Sequence, residues 1–108
     1  MFIHEKDCRE EILENGVRRR IKGHIGDLML VELVWQAGMV GALHSHPHRQ
    51  CGYVARGSFE AEVDGEKTVL RQGDVYYTEA DQPHGVTALE DDSVLVDVFT
   101  PRREDFIA

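Results

Sequence analysis

From Val17 onward no stretch keeps a helical period, and turn signals interrupt the chain roughly every 8–12 residues. The clearest case lies around Asp64-Gly65. Residues 58–63 alternate Phe59, Ala61 and Val63 with Ser58, Glu60 and Glu62, and Asp64-Gly65 is a pair that two-residue hairpin loops favour. The return strand is expected at 67–70, then a Gln72-Gly73-Asp74 turn and a strand at 75–78. Further strands are expected at 17–21, at 28–36 with Val31, Leu33 and Trp35 on one face, at 86–89 and at 93–99, with turns at 23–27 and 81–85. Short strands at this spacing predict an all-β sandwich or closed barrel. Residues 1–16 carry mixed charges and end on the turn signal Asn15-Gly16. They read as a short N-terminal arm in which 10–14 make one helical turn, leaving 17–108 as a single domain. A chain of 108 residues supports one core and is too small for two.

The charge balance narrows the partners. Twelve Lys and Arg against 20 Asp and Glu give −8, whereas nucleic acids and anionic membranes need a basic footprint. No nucleic acid and no membrane is therefore expected. Arg18-Arg19-Arg20 with Lys22 is a short basic run among acids and reads as a solvated strand edge. The apolar stretch 28–35 is interrupted by Glu32 and falls well short of the roughly 20 residues of a membrane span. An acidic N-terminus, MFIHEKDCREE, stands where a signal peptide would be basic and then apolar, which predicts a cytoplasmic protein. Cys8 and Cys51 lack CxxC spacing and read as reduced thiols, and His4 and His24 as surface residues.

The chemistry concentrates in residues 38–57, GMVGALHSHPHRQCGYVARG. On one strand running through 44–46 and continued at 52–56, His44 and His46 would share a face. Gln50 adds a side-chain carbonyl oxygen. Paired imidazoles, an oxygen donor and a distant fourth ligand would make an open transition-metal site. His48 has the same parity but follows Pro47, so it stands either as a ligand or beside the site. In 93–99, Leu95, Asp97 and Phe99 share one face and the valines take the other. A carboxylate on an apolar face has a raised pKa and suits general acid or base work. An Asp at a sheet edge facing water fits the same pattern, and both alternatives stay open. Trp35, Tyr53, Phe59, Tyr76 and Tyr77 read as core or barrel lining.

Gly38, five residues, His44-Ser45-His46, three residues, Gln50, six residues and Gly57 resemble the first motif of the cupin superfamily, with Gln50 in place of its usual Glu. Gly73, Glu79-Ala80-Asp81, Gln82-Pro83 and His84 are similar to the second motif in spacing. Glu79 and Asp81 stand where it has proline and glycine, and Ala88 where it ends in Asn. The resemblance implies a cupin double-stranded β-helix, a jelly-roll barrel, with His84 as the further ligand. One divalent transition metal (Ni, Fe, Mn, Zn or Co) would then be held by His44, His46, Gln50 and His84. All four are neutral, so the ion keeps its full charge, which suits an anionic substrate in an acidic protein.

The whole chain resembles, more closely, the small single-domain cupins of pectin degradation. The similar runs are Gly26-Asp27-Leu28-Met29, His44 through Gln50 to Gly52-Tyr53-Val54, Gly57-Ser58-Phe59-Glu60, Gly73-Asp74-Val75-Tyr76 and Asp97 to Arg103. That family opens the ring of 4,5-unsaturated galacturonate to a linear keto-aldehyde acid. The resemblance implies that Asp97 is the acid/base, that Phe99 lines the pocket, and that Arg103 binds this small anionic sugar near its carboxylate. Arg102 reads as a solvated tail residue. Apolar outer strand faces in so small a barrel predict a homodimer. Two other classes stay open: a metal-dependent oxygenase, and a non-catalytic sugar-binding or sensing cupin.

Overall fold

Two antiparallel sheets face each other in the computed structural model, which describes residues 1–107. The strands run β1 (Glu10–Ile12), β2 (Arg18–Ile25), β3 (Leu28–Trp35), β4 (Val40–His44), β5 (Arg49–Arg56), β6 (Ser58–Val63), β7 (Glu66–Arg71), β8 (Val75–Thr78), β9 (His84–Ala88) and β10 (Ser93–Thr100). A single 3-10 turn, Glu5–Asp7, precedes them, and the short helix α1 (Glu104–Ile107) follows. The larger sheet has the order β1-β2-β3-β10-β5-β8 and the smaller one β4-β9-β6-β7.

Alternation along the strands builds the core. Met29, Val31 and Trp35 of β3, Val54 of β5, Phe59 and Ala61 of β6, and Leu95 and Phe99 of β10 are all buried between the sheets. Trp35 meets Phe59 edge-on with ring centroids 5.5 Å apart, a favourable aromatic geometry. The β6–β7 hairpin turns at Asp64-Gly65, whose φ values of 49° and 82° are both positive, as the tight two-residue turn requires. β10 lies between β3 and β5, so Asp97 is on an interior strand and not at a sheet edge.

Several local expectations are corrected. Residues 10–12 form strand β1 instead of a helical turn. Glu10 and Glu11 stand opposite Arg20 and Arg19, and cross-strand ion pairs of 3.0 and 3.1 Å hold the arm on the sheet. β2 runs on to Ile25, which confines the expected 23–27 turn to its end, and β9 begins already at His84. Most consequentially, 44–56 is not one strand. β4 ends at His44 in the smaller sheet and β5 starts at Arg49 in the larger one, with His46 and Pro47 in the crossing between them. Tyr53 and Tyr77 are 45% and 71% exposed on the outer face, where core positions were expected. Among the described residues no helix is long and apolar enough to cross a membrane.

Candidate metal centre and active site

Three histidines converge although they do not share a strand. His44, the last residue of β4, pairs directly with His84, the first of β9, and His46 reaches in from the crossing. One ring nitrogen from each lies within 4.8 Å of the others. The backbone decides which nitrogens are free. His44 Nδ1 donates to the Ala42 carbonyl and His84 Nδ1 to the Gln82 carbonyl, each at 2.8 Å. A carbonyl only accepts, so both Nε2 atoms carry lone pairs. His84 Nε2 is buried without a hydrogen-bond partner, as a metal-ligating nitrogen would be.

The other two donors engage each other. His46 Nδ1 accepts the His48 backbone N–H at 3.3 Å, so in the neutral ring Nε2 carries the hydrogen and donates to Gln50 Oε1 at 3.0 Å. Ligation through His46 Nε2 would move that proton to Nδ1 and replace this hydrogen bond. Gln50 Nε2 donates to the Tyr76 hydroxyl at 2.9 Å, which fixes the amide with its oxygen toward the histidines. Burial, reinforced by the Arg103 charge, lowers the His46 pKa to about 4, and burial lowers that of His84 as well. Both rings are therefore neutral near pH 7, the form that binds metal. His44, His46 and His84 can hold a divalent transition ion. His48 lies outside this group, its ring 5.2 Å from that of His46.

Asp97 is 6% exposed, and a row of three strands explains its surroundings. In register, Asp97 of β10 faces Gly52 of β5, which faces Tyr76 of β8. Without a side chain at Gly52, the Tyr76 ring lies across that position and its hydroxyl donates to Asp97 Oδ1 at 3.4 Å. A Cβ on Gly52 would sit 2.6 Å from Tyr76 Cζ, closer than real carbons approach. Burial raises the Asp97 pKa to about 7, although Gln50, Tyr76 and Arg103 each pull it back. Burial and the Asp97 carboxylate push the Tyr76 phenol well above its ordinary value.

Both groups open onto one cavity of about 170 Å3, lined also by His44, Gln50, His84, Phe99 and Arg103. Arg103 donates through Nε and Nη2 to the Asp105 carboxylate at 3.0 and 2.7 Å. Its guanidinium lies 5.2 Å from the Phe99 ring centroid and 4.2 Å from that of Phe106. Of the residues expected from sequence at the site, His44, Gln50, His84, Asp97, Phe99 and Arg103 line this one space, and His46 stands beside it against Gln50.

A family model described as the cupin domain matches residues 31–99. The chain belongs to the cupin family. It is 43% identical over 107 residues to the pectin degradation protein KdgF of Dickeya dadantii (strain 3937), covering 98% of this chain and 96% of that one. The structure of KdgF from Halomonas sp. matches with a TM-score of 0.93 at 40% identity, over 98% of this chain and 99% of that one. An RmlC-like cupin from Shewanella frigidimarina NCIMB 400 matches with a TM-score of 0.91 at 33% identity, over 97% and 94% of the two chains.

Within this cupin barrel, sequence patterns missed Tyr76 as a polar contact and Arg19 as an inward residue. Arg19 lines the cavity and its guanidinium lies 4.0 Å from the Phe106 ring. A signal existed: Arg19 has the parity of Val17, which is fully buried. Arg102, expected in solvent, instead pairs with Glu104 at 2.7 Å and reaches His24 at 3.3 Å.

Proposed function

We propose that this cupin is a metal-dependent enzyme of pectin and uronate breakdown that opens the ring of 4,5-unsaturated galacturonate to a linear keto-aldehyde acid, a net isomerisation. One observation carries the proposal: a single small cavity joins two members of a three-histidine cluster, His44 and His84, to a buried carboxylate and a guanidinium. At about 170 Å3 it exceeds the roughly 150 Å3 of an engineered cavity that takes benzene, so it has room for one six-membered ring. The near full-length similarity to a pectin degradation protein supports the substrate class.

His44, His46, His84 and Gln50 would hold the ion, whose identity within Ni, Fe, Mn, Zn and Co the ligand chemistry leaves open. When bound, it supplies Lewis-acid stabilisation of charge developing on substrate oxygen. The rest of the work falls to side chains. Asp97, as carboxylate, takes the proton of the C1 hydroxyl while the bond from C1 to the ring oxygen breaks. C1 becomes the aldehyde and the ring oxygen stays on C5 as an enolate. The protonated Asp97 then delivers that proton to C4, and C5 becomes a ketone. A carboxyl with a pKa near the working pH serves both halves of such a transfer. Tyr76 orients Asp97 through its hydroxyl. Arg103 offers its remaining donors to the substrate carboxylate, and Phe99 excludes water.

The test is loss of ultraviolet enol absorbance when metal-replete protein meets 4,5-unsaturated galacturonate, against the uncatalysed background. Acceleration that disappears on chelation and in His44→Ala, and persists without oxygen and with a redox-inert metal, is the expected result. No acceleration with a filled metal site would overturn the proposal.

A further inference from the structure

Arg103 has two edges that can meet a carboxylate, and one of them is already taken. A guanidinium binds side-on, through Nε and one Nη, or end-on, through both Nη atoms. Asp105 fills the side-on edge with a full fork: Nε donates to Oδ1 at 3.0 Å and Nη2 to Oδ2 at 2.7 Å. Among the described residues Nη1 has no hydrogen-bond partner, and it is not one of the atoms closed off from the surface. The end-on edge is therefore free, on a side chain that lines the cavity.

The segment just after β10 holds this arrangement. Helix α1 has four residues, too few to stand alone, so tertiary contacts set its position. Phe106 meets Phe99 edge-on at 5.7 Å and packs with Ile107 against the buried cluster of Met29, Val31 and Phe99. The Arg103 guanidinium lies 4.2 Å from the Phe106 centroid and 5.2 Å from that of Phe99, whose ring in turn meets His46 at 5.9 Å. Ring faces attract the cation without selecting which N–H points where. The fork makes that selection. Exposure shows what the fork is for. The Arg103 side chain is 12% exposed and that of Asp105 is 56% exposed. An ion pair with one partner so open adds little to folding stability, but it still gives direction to the donors that remain.

We infer that Asp105 is a positioning residue: it turns Arg103 so that Nη1 and the second Nη2 hydrogen meet the substrate carboxylate end-on. This rests on the ring-opening function for the identity of the substrate, while the fork itself rests on the two hydrogen bonds. Asp105 is also an anion near an anion-binding group. Solvent screens that repulsion at an exposed carboxylate, whereas orientation acts at contact distance, so the net effect favours binding.

The test is a double-mutant cycle on the metal-loaded full chain, read by calorimetry. The probe is galacturonate, which has no enol ether to open. Asp105→Asn keeps the size and breaks the fork, because the amide offers one oxygen where the carboxylate offers two. It should weaken galacturonate about 10-fold. Asp105→Glu restores the fork on a longer arm and should recover part of that loss. In an Arg103→Ala background, the same Asp105→Asn change should cost nothing further. The melting temperature and metal affinity of Asp105→Asn should stay near wild type. With the unsaturated sugar its KM should rise while kcat holds, a split that a merely structural role would not produce. Unchanged or tighter galacturonate binding in Asp105→Asn, or an equal loss in the Arg103→Ala background, overturns the positioning role. A wild type that binds no galacturonate overturns it as well. Coupling of the two residues in a protein that leaves the unsaturated sugar unopened upholds the positioning role and defeats the ring-opening function.

Discussion

Replacing Asp97 by Asn tests the site through stability as well as catalysis. The carboxyl has a pKa of about 7 in the fold against an ordinary value of 3.8. Between those pH values the native protein keeps a proton that the unfolded chain has released. The unfolded state therefore binds fewer protons, and stability falls as pH rises from about 4 to about 7. Three units at about 1.4 kcal/mol each make a loss of about 4 kcal/mol, complete above pH 7. Asn cannot ionise, so Asp97→Asn lacks this slope.

The swap also carries a constant offset, because the new amide NH2 needs an acceptor in a site built around a carboxyl. That offset does not vary with pH, so the comparison is of slopes. In chelated protein, the stability of Asp97→Asn relative to wild type should climb by about 4 kcal/mol between pH 4 and pH 8. For a chain of 108 residues that is a relative shift of about 15–20 °C in melting temperature. Chelation matters because a bound cation would favour the carboxylate and shrink the effect. Ring-opening activity, assayed with metal restored, should be lost. Parallel stability curves would refute the buried, raised carboxyl, and wild-type activity with metal bound would remove Asp97 from the acid/base role.

Other perturbations probe the supports of the site. Gly52→Ala drives a methyl into the Tyr76 ring and should cost about 1–3 kcal/mol in denaturant unfolding, with activity falling because Tyr76 leaves Asp97. Tyr76→Phe frees the Gln50 amide to rotate and should weaken metal binding about tenfold in a competition titration. A divalent ion at 100 times its Kd should raise stability by about 2.7 kcal/mol in a thermal melt, a gain absent in His84→Ala.

The strand pattern made much of this fold legible, and pairing between strands hid the rest. Alternation alone placed Phe59 and Ala61 inside and put Leu95, Asp97 and Phe99 on one face. It could not show that the chain changes sheets at Pro47, because a period of two looks the same across a break as along a strand. The histidines nonetheless meet, since the crossing brings His46 back over the His44–His84 pair. Whether Asp97 was interior or at an edge depended on β3 and β5 flanking β10, a long-range fact with no local signature. The same holds for Tyr76, whose polar role exists only because Gly52 lies between it and Asp97. Arg19 is hidden for another reason: a run of three arginines reads as a solvated edge, although parity with buried Val17 turns the middle one inward.

The glutamine at position 50 follows from the way the two halves of the site are joined. Its oxygen faces His46 and its nitrogen donates to Tyr76, whose proton is then free to point at Asp97. This chain of donors has one direction, and it ends on the carboxylate. A glutamate here would bind a cation more strongly but has no N–H to give. The Tyr76 hydroxyl would then turn its single proton either to that new carboxylate or to Asp97, and two carboxylates would share a buried space. Losing that hydrogen bond and gaining a like charge both raise the Asp97 pKa. Gln50→Glu should therefore hold metal more tightly yet show a pH–rate profile whose acidic limb moves upward by about one unit or more. Tighter metal binding with an unshifted profile would mean that Asp97 does not feel residue 50, and the directional link between metal site and carboxylate would have to be abandoned.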